Sequence, residues 1–120
     1  MDRIWIGLGA VAGLTAVGMA AAAAHLPLSP AALAMLREAV QMQGWHALAL
    51  LFTGLWAAGQ PGRRLPHLAG LAFTAGLLLF CGAVYMQALN GVRLPSVAPT
   101  GGTLLMAGWA LLGLSALRRR

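Results

Sequence analysis

The chain has 120 residues, of which 60% are hydrophobic and only 8% charged, and its mean hydropathy is +0.80. That balance excludes a soluble globular domain, whose surface needs far more polar side chains. The net charge of +6 comes from eight arginines without a lysine. All of them lie at or beyond the ends of apolar runs and none is interleaved with aromatics, so they mark membrane edges and not a nucleic-acid surface.

The first apolar run, residues 4–24, carries no charge, and at about 1.5 Å per residue it spans a hydrocarbon core of about 30 Å. Arg3 and the alanines that close the run also suit a signal peptide. The run is longer than an h-region of about 7–15 residues, so it is expected to stay as a helix. His25-Leu26-Pro27-Leu28 ends it. Ser29-Pro30 then reads as an N-cap followed by proline at the first helical position, and the second helix is expected over 30–58. Its first half, 31–43, carries Arg37, Glu38, Gln41 and Gln43 and is expected at or above the interface. The remainder, 44–58, is short for a span, so the helix must recruit earlier turns, tilt, or break near Gly44. A Gly/Pro turn with Arg63 and Arg64 leads to a third helix over 67–89. Asn90-Gly91 to Pro99 forms the next connection, and a fourth helix is expected over 100–117, before three terminal arginines.

The expected fold is therefore all-α: an integral membrane protein, one domain over 1–120, built as a bundle of four transmembrane helices. Four spans place Arg3, Arg63, Arg64, Arg118, Arg119 and Arg120 on one side and Arg37 and Arg93 on the other. The positive-inside rule then puts both termini in the cytoplasm of a bacterial-type inner membrane. Gly9-xxx-Gly13, Gly18-xxx-Ala22 and Ala72-xxx-Gly76 offer small-residue faces, suited to bundling within the chain or to homo-oligomer contacts.

Polar side chains at membrane depth are few. His25, Glu38, Gln43, His46 and Asn90 form the candidate cluster, on the extracytoplasmic side, with Tyr85, Gln87 and Arg93 nearby. Glu38, Met42 and His46 recur every four residues and share a stripe. Three readings stand for them: the two histidines hydrogen-bond across helices; His25 and His46, with Met42, bind a metal or haem; or Glu38 and His46 relay protons. His67 and the four tryptophans, Trp5, Trp45, Trp56 and Trp109, are expected as interfacial anchors. Cys81 is the one cysteine and is expected to be a small packing residue. Zinc-protease, nucleophile-elbow, CxxC and phosphate-loop motifs are missing, and two carboxylates give little for acid–base work. The chain is thus expected to be a non-enzyme without a cofactor. Its expected partners are the lipid bilayer and copies of itself or a larger membrane complex, with no nucleic acid.

Several stretches occur in a recognisable order: Gly7 to Gly13, Ala23-Ala24-His25, Gln43-Gly44-Trp45-His46, Phe80 to Tyr85, Gly91-Val92-Arg93, Pro99 to Gly102 and Ala107-Gly108-Trp109. Over nearly the whole chain they resemble the YgdD-like small inner-membrane proteins, the domain of unknown function 423. The resemblance implies a four-helix membrane protein with histidines at the positions of His25 and His46, and it implies no activity. The leading expectation is a scaffold or accessory component packing through small-residue faces. The alternatives are an oligomeric pore or carrier for protons, small ions or neutral solutes, and a metal- or haem-binding protein.

Overall fold

The computed structural model describes residues 2–117, and their regular structure is four α-helices: α1 (Asp2–Ala23), α2 (Pro30–Ala58), α3 (Leu65–Asn90) and α4 (Val97–Leu117). The terminal arginines Arg118, Arg119 and Arg120, counted in the charge bias, lie outside the described residues. The helix limits follow from local chemistry. Ser29 Oγ accepts the Ala32 N–H at 3.2 Å, and Pro30 sits where a helix has no use for an N–H. α3 begins at Leu65 and α4 at Val97, both before the expected starts, because Pro66 and Pro99 fit a first turn whose N–H groups have no partner anyway. Gly91 closes α3 in the left-handed region (φ +72°), its N–H donating to the Gln87 carbonyl and the Val92 N–H to that of Met86.

α1, α3 and α4 are each long and apolar enough to cross a membrane. Four such spans were expected. α2 misses the mark because Gln41, Gln43 and His46 interrupt its apolar run. It is nevertheless covered by its neighbours on the face that carries Gln43 and His46, while Trp45, Leu48, Phe52 and Leu55 stay exposed on the other. α1 packs on α2, α2 on α3 and α3 on α4. Gly54 of α2 lies against the Asp2 backbone and Ile6, Ala47 lies against Gly9, and Gln43 reaches the Ala12 carbonyl. Leu36 packs with Ala23 and Ala88. Residues 36–54 of α2 therefore run beside the whole of α1. α2 runs unbroken through Gly44, so the break allowed for there does not occur. Gln43 sits beside the middle of α1, and the exposed pair Arg37 and Glu38 stands at the rim.

Close backbone approach holds the pairs together. A Cβ on Gly9 would fall 2.8 Å from the Ala47 carbonyl oxygen, and one on Gly76 would fall 2.8 Å from that of Gly101. In lipid, where helices gain nothing by excluding water from each other, such approach maximises dispersion contact. The small-residue motifs starting at Gly9 and ending at Gly76 are thus used inside the molecule. Phe73, Leu50 and Leu105 fill the core between the crossings.

Gly101→Ala should destabilise the bundle by about 1–3 kcal/mol, because its Cβ would meet the Phe80 backbone and the Gly76 carbonyl and force α4 outward. Gly113→Ala, whose Cβ meets nothing, should be neutral or stabilising by up to about 1 kcal/mol. Denaturation of both variants in detergent micelles checks the contrast.

Candidate functional site

Gln43 is the centre of a polar hub joining three helices. Its Nε2 donates to the Ala12 carbonyl at 2.8 Å and to Thr15 Oγ1 at 2.6 Å, both on α1. Its Oε1 accepts the Tyr85 hydroxyl of α3 at 2.6 Å. The amide orientation is fixed by the network, because a flipped amide would set oxygen against the Ala12 carbonyl. Thr15 passes its own proton back to the Val11 and Ala12 carbonyls.

His46, one turn on, serves a different contact. The Trp109 indole of α4 can only donate, so the 3.0 Å bond to Nε2 makes that atom the lone-pair nitrogen. Nδ1 then carries the proton and donates to the Met42 carbonyl at 2.7 Å. The imidazole is neutral with both nitrogens engaged, and it packs against Phe73 and Trp109, ring centroids 5.7 Å away in each case.

The expected cluster therefore divides. Gln43 and His46 are buried inside the bundle, while His25, Glu38 and Asn90 are exposed toward its far end. His25 follows α1 near the level of Leu36, ten residues before His46, which is about 15 Å along the axis. The proposed His25–His46 hydrogen bond is replaced by Trp109 and Met42. The lone pair that a metal would take on His46 is occupied by the Trp109 N–H. Among the described residues, no three His, Cys, Asp or Glu side chains gather as a metal-binding group. Glu38 and His46 lie two turns apart, one at the rim and one within, so a relay between them has no shared contact.

The tryptophans were expected as headgroup anchors, and three of them tie helices together. Trp5 donates to His67 Nδ1 at 2.9 Å, Trp56 to Ser115 Oγ at 3.0 Å, and Trp109 to His46. His67, expected as an interfacial residue, is thereby a partner inside the α1–α3 contact. Trp45 is the tryptophan that ties no helices together, and its exposed ring lies beside the middle of the bundle. Thr15 and Tyr85 were legible as polar residues within apolar runs, but their convergence on Gln43 was not.

The hub closes one end of a cavity of about 290 Å³ between α1 and α3, floored by α2. Leu8 and Val11, Leu50, and Leu77, Leu78 and Gly82 give it an apolar body. Val11 and Leu78, 57% and 72% exposed, stand at its mouth, which faces the surface that lipid covers. α1 and α3 converge where the Trp5 indole lies over Gly70 and separate from there toward Thr15 and Tyr85.

Comparison with known proteins places this architecture. A family described as "Protein of unknown function (DUF423)" matches residues 19–102. The chain belongs to that family. DUF423 relatives include the UPF0382 membrane protein SH2409 of Staphylococcus haemolyticus, 32% identical over 97% of both chains. The UPF0382 inner membrane protein YgdD of Escherichia coli K12 is 31% identical over 98% of this chain and 92% of its own. No solved structure matches the chain. The helices that carry Gln43, Tyr85 and His46 fall within the part that the DUF423 match covers.

Tyr85→Phe should cost about 0.5–1.5 kcal/mol in the native chain, the worth of one hydrogen bond that leaves its acceptor unpaired. In a Gln43→Leu background the same change should cost close to nothing. A double-mutant cycle read by reversible unfolding in micelles measures that coupling.

Proposed function

We propose that this DUF423 protein is a non-enzymatic scaffold or accessory component of the inner membrane, packing through the outer face of α1 against copies of itself or a larger complex. The observation that carries this reading is an exposed row on α1 in which four of five residues are Gly or Ala. Gly7, Ala10, Leu14, Gly18 and Ala21 are all exposed, and a Cβ on Gly7 or Gly18 would meet nothing. Their three- and four-residue spacing makes one seam along the helix, with room for another backbone to approach closely. The interior supports the same reading from the other side, since its polar groups are spent on one another in holding the helices.

In this reading α2 crosses as a fourth, central span. Its length beside α1 supports that, as does the shielding of Gln43 and His46 by the other three helices. The Trp56–Ser115 bond and the Gly54–Asp2 contact bring the start of α1, the end of α4 and the 59–64 turn to one end of the bundle, with Arg3, Arg63 and Arg64. Arg37 and Arg93 mark the other, so the positive-inside rule favours cytoplasmic termini. The inner-membrane label of the YgdD relatives agrees with that setting.

In a Cys81→Ala background, Leu14→Cys should form disulfide-linked dimers on mild oxidation in native membranes, and Gly18→Leu should suppress them several-fold. A chain that stays monomeric at Leu14 while crosslinking through Leu55→Cys would move the interface to α2. Gln60→Cys should resist an impermeant maleimide in intact cells; labelling from outside would invert the topology.

A further inference from the structure

We infer that the α1–α3 cavity is a binding site for an uncharged, membrane-dissolved molecule that carries a hydroxyl on an apolar body. Three observations converge on that class. The first is access: the mouth lies between Val11 and Leu78, both lipid-facing, so the occupant enters from the bilayer and must be soluble there. The second is size. About 290 Å³ stands at the lower edge of the about 300–1,000 Å³ found for small-molecule sites, enough for a short chain or a single ring system.

The third observation selects the headgroup. Among the described residues, the side-chain donors lining the cavity are all committed. Gln43 Nε2 gives both protons to α1, and the Tyr85 hydroxyl gives its own to Gln43. Thr15 and Thr74 bond carbonyls of their own helices, and the Cys81 thiol points to the Ala39 carbonyl. Lone pairs remain, on the Tyr85 hydroxyl oxygen and on Gln43 Oε1. The polar end accepts and does not donate. A hydroxyl supplies the missing proton there, whereas a ketone, ester or quinone carbonyl would set oxygen against oxygen. A charged headgroup would find no counter-ion among the lining side chains.

The test uses the full-length protein in phosphatidylcholine nanodiscs and decanol bearing a photoactivatable diazirine near the chain end. Labelling should saturate and map to α1 and α3 around Leu8 and Leu78. Unmodified decanol should compete at about one tenth of the concentration needed by the ketone of equal length, the worth of one hydrogen bond gained in place of a clash. Gly82→Leu projects into open space within the cavity, so it should abolish labelling while leaving stability intact. Gln43→Leu frees the Tyr85 proton, so the preference for the alcohol over the ketone should disappear. Equal competition by decanol, ketone and decane would overturn the inference, reducing the cavity to an apolar slot. Labelling unchanged in Gly82→Leu would overturn it as well.

Discussion

Hydrocarbon offers a polar side chain no water to fall back on, so each one inside the bundle must find its partner in the protein. Gln43 meets that demand by spending both amide protons on α1 and taking one from α3, which makes it the point where three helices are registered against each other. The low hydropathy of α2 and the covering of its Gln43 and His46 are two sides of one fact. A helix carrying Gln43 and His46 at mid-length is stable in a membrane when other helices cover those residues, and α1, α3 and α4 do so.

The tryptophans follow the same rule. An indole N–H at the headgroup level can bond water or lipid, and that is the usual place for it. Trp5, Trp56 and Trp109 instead reach acceptors about sixty residues away in sequence, each on another helix. Trp109 keeps half its ring toward lipid and turns its N–H inward, so it closes the α2–α4 contact and fixes the His46 tautomer at once. A histidine held this way serves as a structural acceptor.

The glycines sort the surfaces into inner and outer. Gly9, Gly76 and Gly101 are consumed by crossings within the chain, whereas Gly7 and Gly18 open outward on α1. The cavity arises between these two tasks of α1. Trp5 pins one end of the helix to Gly70 of α3, and the Gln43 hub spans the gap farther along, leaving space between the two helices that no side chain fills.

The sequence by itself determined four helices, their joints at Ser29-Pro30, the Gly/Pro turn and Gly91, and the membrane setting, because run length, caps and charge placement are local properties. It also marked Gln43 and His46 as polar groups at membrane depth. Only the tertiary structure decided what those groups meet. Helical periodicity states which residues share a face but not which neighbour the face turns to, so it groups His25 and Glu38 with Gln43 and His46, whose partners in the fold are Tyr85, Thr15 and Trp109. The covering of Gln43 and His46 was illegible for a related reason. Hydropathy scores each side chain as if lipid surrounded it, and these two meet side chains and backbone of the other helices.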